Sequence, residues 1–233
     1  MIKYIGSKRT LVPQIVAAVR SVPGVHTVAD LFSGTSRVGH ALKASGYRVL
    51  ANDELAYAHT LARCYVEADL ERVERDARRL LVELDALPGS PGYFTETFCL
   101  RSRFFQPHNG ERIDAIREAI RRKHLPPALE AVLLVSLMDA ADRVDSTTGV
   151  QMAYLKRWAP RASNPLALRL PALLPRARGT GPRELPRRLR RGRGARGRRR
   201  LPRPAVQPAL LPRELPRLGE PRALGQADRK SVV

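Results

Sequence analysis

Cysteine is almost missing from this 233-residue chain; Cys64 and Cys99 are the only two. Their spacing suits no metal site and no partner motif accompanies them. A disulfide framework is therefore excluded, and two reduced thiols are expected. No metal ligand set is expected either. Long apolar runs are also missing. The stretch after Lys3, Lys8 and Arg9 is broken by Pro13 and Gln14, so it has no signal-peptide core, and no later segment approaches the length of a membrane span. A soluble, cytoplasmic protein without a membrane partner is the expectation.

Acidic residues are the third shortage, 22 Asp and Glu against 42 Lys and Arg. The imbalance is local. Residues 171–233 hold 18 basic against 4 acidic side chains, which leaves only six of the net +20 charges for residues 1–170. The basicity belongs mostly to the tail and says little about the folded part.

What is present begins with a βαβ pattern. Residues 11–20 have helical apolar spacing at Leu11, Ile15, Val16 and Val19. Residues 25–31 read as a short buried strand, 38–44 as a helix stopped by Gly46, and 47–51 as a second strand ending in Asn52 and Asp53. Between the first strand and its helix lies Asp30-Leu31-Phe32-Ser33-Gly34-Thr35-Ser36. An acid at a strand end followed by a small-residue turn that opens a helix is suited to hold a nucleoside. Glycine allows close backbone approach, and the helix start offers unpaired N–H groups. A plain strand-to-helix turn is the competing reading. Asp53, after the second strand, is placed either to accept from ribose hydroxyls or to cap a helix. Near the N-terminus, Tyr4, Gly6 and Lys8 could stack on a flat ligand and hold a carboxylate, although taken alone they read better as a solvated N-terminal strand.

The middle of the chain is helical. One long amphipathic helix is expected over 59–87, an irregular aromatic stretch over 93–105, and further helices over 113–123 and 128–144. This block reads as an insertion between strands of the sheet. Residues 146–175 then return to the sheet, with a turn at residues 145–149, and beyond about Pro175 all periodicity stops. An Arg/Pro-rich segment with so little patterned apolar content is expected to be disordered.

Taken together, Tyr4 and Lys8, the loop at residues 30–36, and Asn52-Asp53 resemble the Dam-like adenine-specific DNA methyltransferases. The likeness continues through residues 144–156 and Asn164-Pro165-Leu166. The resemblance implies a Rossmann-like class I methyltransferase sheet with a helical target-recognition insertion, S-adenosylmethionine as cofactor and double-stranded DNA as substrate. It implies that residues 1–60 form the cofactor-binding half and 61–145 the DNA-recognition insertion. Tyr4, Lys8, Asp30, Phe32, Ser33, Gly34, Thr35 and Asp53 would contact the cofactor. Candidate DNA contacts are Arg121, Arg122, Lys123, Arg143, Lys156 and Arg157, with Arg101 and Arg103 as further phosphate candidates, and each taken alone reads better as a solvated charge. A monomer, with a cognate restriction endonuclease as a possible companion, fits the same family. Ser36 replaces a glycine usual in the family's loop, a change compatible with a helix start.

The family's catalytic Asp/Asn-Pro-Pro-aromatic motif, which holds the adenine amine and stacks on the flipped base, occurs nowhere in residues 1–233. The tail suggests why. With permitted wobble bases, the message for residues 195–209 reads one base later as Leu-Glu-Ala-Asp-Val-Ala-Tyr-Leu-Asp-Pro-Pro-Tyr-Asn-Gln-His. A frame slip between about residues 174 and 195 would account for the missing motif and leave residues 176–233 as out-of-frame translation. Loss of catalysis and poor folding are then expected. The alternatives are a non-catalytic cofactor-binding fragment and a nucleic-acid-binding protein with a functional basic tail.

Overall fold

A computed structural model of the chain describes residues 8–147 and 155–176. Tyr4, the turn at residues 148–149 and the basic tail with its expected disorder lie outside the described residues. The described residues all belong to one compact unit.

A 3-10 turn, Lys8–Thr10, leads into α1 (Val12–Arg20), with Pro13 in its first turn, where a missing N–H costs nothing. The βαβ pattern follows as expected. β1 (Thr27–Asp30) is joined through α2 (Arg37–Ala44) to β2 (Arg48–Ala51), and the strands pair in parallel with Asp30 opposite Ala51. A parallel pair needs a crossover, and α2 supplies it. Gly39 makes the packing close. A Cβ there would lie 2.9 Å from Cγ2 of Val66 and 3.5 Å from Cγ1 of Val49. Among the described residues these are the only two strands. The other edge of β1 therefore has no described partner, and the alternate residues Thr27, Ala29 and Leu31 are exposed on one face of the sheet.

The long helix expected over residues 59–87 is not continuous. α3 (Ala56–Ala62) runs into a π-helical turn, Arg63–Glu67, and the chain then becomes extended at Ala68. α4 (Leu70–Asp85) starts afresh, capped by Asp69, whose side chain accepts from the Glu71 N–H. The break is held from outside: Lys43 Nζ donates to the Ala68 carbonyl at 2.6 Å. The aromatic stretch is more regular than expected, because residues Thr95–Leu100 form a second π-helical turn. Asp114 organises it by accepting from the N–H groups of Gly92, Phe94 and Thr95 and from the Thr95 hydroxyl.

α5 (Pro107–Arg122) and α6 (Pro127–Val144) complete the helical block. Tyr65, Leu84, Ile116, Ile120, Val132 and Leu133 are buried at its centre and form the main core. The sheet side has a much smaller cluster, Ala51, Ala62 and Val66 against Val49. Residues 164–176 then cross the helices as an extended strap. Its backbone is bonded by side chains of Asn109, Ser136, Arg143, Asp85, His40 and Asp69. No helix among the described residues is long and apolar enough to cross a membrane.

Candidate functional site

Backbone geometry shapes the loop after β1. The Asn52 N–H donates to the Asp30 carbonyl at 2.8 Å, and the Ser33 N–H donates to the Asn52 carbonyl at 3.0 Å. The two strand ends thus stay paired beyond the sheet. Gly34 lies at φ +49°, a conformation that favours glycine, and the space beside it is open. Ser36 caps α2 by position only. It sits at φ 57°, ψ 19° and makes no side-chain cap bond. The helix-start role expected for this serine is therefore a strained one.

Asp53 reaches across to this loop. Its Oδ2 accepts from the Gly34 N–H at 2.8 Å and its Oδ1 from the Leu55 N–H at 3.0 Å. The carboxylate staples the glycine turn to the end of β2, and each oxygen retains further acceptor capacity. Asp30 is half-buried at the end of β1, and its Oδ2 has no hydrogen-bond partner. Burial raises its carboxyl above the ordinary carboxylate range and the Asp53 charge adds to this, while Lys8 and the Phe32 N–H oppose it. Ser33 Oγ and Ser36 Oγ are likewise buried without partners. Three unpartnered polar atoms on one short loop are costly unless something polar meets them. Phe32 points the other way in character: it is 80% exposed beside this loop. The structure thus brings Lys8, Asp30, Ser33, Gly34 and Asp53 into one electrostatic neighbourhood, while Tyr4 lies outside the described residues.

Sequence reasoning missed the residues behind the loop. His40, on α2, bonds the Ala172 carbonyl through Nε2 at 2.8 Å and meets the Tyr65 ring edge-on. Lys43, one turn further, is buried on the Ala68 carbonyl, and burial lowers its pKa. Gly39, inside an otherwise helical pattern, was the one visible sign of close packing there.

The candidate DNA contacts fall into separate places. Arg121 pairs with Glu118, Arg122 lies 3.7 Å from the same carboxylate, and Lys123 pairs with Glu83. Arg143 is partly buried, donating to the Ala167 carbonyl at 2.6 Å. Lys156 and Arg157 are exposed beyond α6. Asn109, in the first turn of α5, bonds residues 162–166. At 1.5 Å per residue, the basic end of α5 is about 20 Å from that turn. The six cations therefore do not form one patch.

A parallel βαβ unit, with a glycine turn and two acids at the carboxyl ends of its strands, marks an α/β protein, and open α/β sheets hold their ligands at such strand ends. Its family follows from comparison with known proteins. The model of the D12 class N6 adenine-specific DNA methyltransferases matches residues 4–175. The chain belongs to that family. It is 33% identical over 183 residues to the type II methyltransferase M.NlaIII of Neisseria lactamica, covering 73% of this chain and 54% of the relative. It is 31% identical over 186 residues to M.FokI of Planomicrobium okeanokoites, covering 72% of this chain and 28% of the relative. M.CviAII of Paramecium bursaria Chlorella virus 1 is 29% identical over 175 residues, covering 69% and 51%. The chain thus spans about half the length of M.NlaIII and M.CviAII, and less of M.FokI. No solved structure matches it.

Proposed function

We propose that the chain is the cofactor-binding and DNA-recognition portion of an adenine-specific DNA methyltransferase of the class I, Rossmann-like type. The reaction assigned is transfer of a methyl group from S-adenosylmethionine to the exocyclic amine of adenine. The observation that carries this reading is the loop at residues 30–36, where buried acceptors lack partners beside an open glycine turn. Their chemistry fits the cofactor, whose ammonium, ribose hydroxyls and sulfonium all seek acceptors or negative charge. Asp30 and Lys8 would take the methionine part together with Ser33, Gly34 and Thr35. Phe32 and Tyr4 would offer apolar contact, and Asp53 would hold the loop and the ribose side. When bound, the cofactor supplies a methyl group already activated on sulfur. Residues 61–145 would face the DNA, with Lys156 and Arg157 beyond them and Arg121, Arg122, Lys123 and Arg143 as further cations. A monomer acting in the cytoplasm beside a restriction endonuclease is the setting assigned.

These 233 residues hold no base-handling motif, so we infer that they bind without turning over. Codon grammar supports the frame slip. In residues 171–233 only Thr180, Lys230 and Ser231 demand a codon that opens with A or T; all others can open with G or C. That bias is what a GC-rich message gives when its third codon positions are read as first positions. The edge of β1 that has no partner among the described residues is also where a further strand could pair. The decisive comparison sets the chain as it stands against a version carrying the shifted-frame translation from the slip onward. Methylation of adenine in duplex DNA by the second and not the first is expected. Transfer by the first, or by neither although both fold, would contradict the proposal.

A further inference from the structure

Three segments outside the cofactor loop are tied into one rigid base. The Ser146 N–H donates to the Phe104 carbonyl at 2.7 Å, and its hydroxyl accepts from the Ala159 N–H at 3.0 Å. Ser146 is 1% exposed, so this junction is a buried one. Asp145 pairs with Arg161 at 2.6 Å, and Arg161 also donates to the Thr147 carbonyl at 3.3 Å. Asn109 of α5 holds the next turn through the Ala162 carbonyl at 3.1 Å. On this base the Arg103 guanidinium lies 4.9 Å from the ring centroid of Trp158, within cation–π range.

We propose that Arg103, Lys156 and Arg157, arranged around Trp158, form a platform for the phosphate backbone of double-stranded DNA. The proposal rests on the methyltransferase reading and names the surface by which the substrate is held. All three cations are exposed, and none has an acidic partner among the described residues. The nearby acids are taken: Asp145 serves Arg161, and Glu96 serves Arg101 at 2.9 Å. At the far end of α5, by contrast, each cation has a carboxylate beside it. An uncompensated cluster on a rigid base suits an extended anion, and a guanidinium oriented by an aromatic ring loses little freedom on meeting a phosphate. Phosphate contacts of this kind set position and register, not sequence preference.

Trp158 is the only tryptophan in the chain, so its emission reports on the platform alone. The full chain is titrated with a short labelled duplex, following label anisotropy for total binding and Trp158 emission for the platform. Both signals are expected to change together and to reverse with added salt. A variant with Lys156→Glu and Arg157→Glu should lose the emission change, while anisotropy still rises through the basic tail. Its salt slope should fall by about two, one for each lost phosphate contact. Both side chains are exposed, and circular dichroism checks that the fold persists. A variant with Arg20→Glu, exposed on α1 and outside the residues assigned to DNA, should keep the Trp158 response of the parent. Rising anisotropy with silent Trp158 emission, or an unchanged emission response in the Lys156/Arg157 variant, overturns the platform and leaves the DNA reading standing. No anisotropy change at all overturns both.

Discussion

Replacing Ser36 should make this fold more stable, and two substitutions separate the reasons. Ser36 is fully buried, lies at φ 57° and leaves its hydroxyl without a partner. A buried hydroxyl without a hydrogen bond costs about 1–3 kcal/mol. Ser36→Ala removes that hydroxyl and keeps the strained backbone, so a gain of about 1 kcal/mol is expected. The left-handed conformation itself costs a residue with a Cβ about 1–2 kcal/mol. Ser36→Gly relieves this as well, but the freer unfolded chain takes back about 0.4–1 kcal/mol. The glycine variant should therefore exceed the alanine variant by about 0.5 kcal/mol. For a domain of this size each kcal/mol moves the melting temperature by about 2–4 °C. Thermal unfolding followed by circular dichroism should place the order as glycine, alanine, then parent. An alanine variant no more stable than the parent would show that the hydroxyl has a partner. A glycine variant below alanine would show that the backbone is not strained.

Two further outcomes follow from the strap at residues 164–176. Asn109→Ala removes a fully buried carboxamide that bonds the Ala162 and Asn164 carbonyls and the Leu166 N–H. Leaving these backbone groups unpaired should cost about 3–5 kcal/mol in a urea titration. His40 gives a pH dependence. Burial lowers its pKa below 6.5 and outweighs the bond to the Ala172 carbonyl, so the unfolded chain takes the proton first as pH falls. Its contribution to stability is present above about pH 6.5 and declines below it, as the sign of the linkage requires. His40→Gln should flatten that part of the profile of melting temperature against pH.

The first sixty residues were legible because their signals are local. The short apolar run at residues 25–31, helical spacing over 11–20 and Gly46 as a stop placed α1, β1, α2 and β2 within a few residues of their observed bounds, although β1, expected to be buried, has no buried residue. The break between α3 and α4 was not legible. The apolar positions run across it, and what opens it is Lys43, distant in sequence, together with the Asp69 cap. The helical turn at Thr95–Leu100 likewise depends on Asp114, a residue of the next helix. The strap carries no periodic pattern because side chains of the helical block, not a neighbouring strand, bond its backbone. At the loop, the sequence singled out Asp30, Gly34 and Asp53, and the structure brings them together. It could not reveal that Asp53 holds Gly34 in place, or that Ser36 is strained.

The central claim is that the loop at residues 30–36 binds S-adenosylmethionine, and titration calorimetry of the full chain with that cofactor tests it most directly. The account predicts saturable binding at one site per chain. It also predicts that Asp30→Asn weakens that binding by at least tenfold, while the folded state persists by circular dichroism. A folded chain that gives no binding heat, or an Asp30→Asn variant that binds as tightly as the parent, would contradict it.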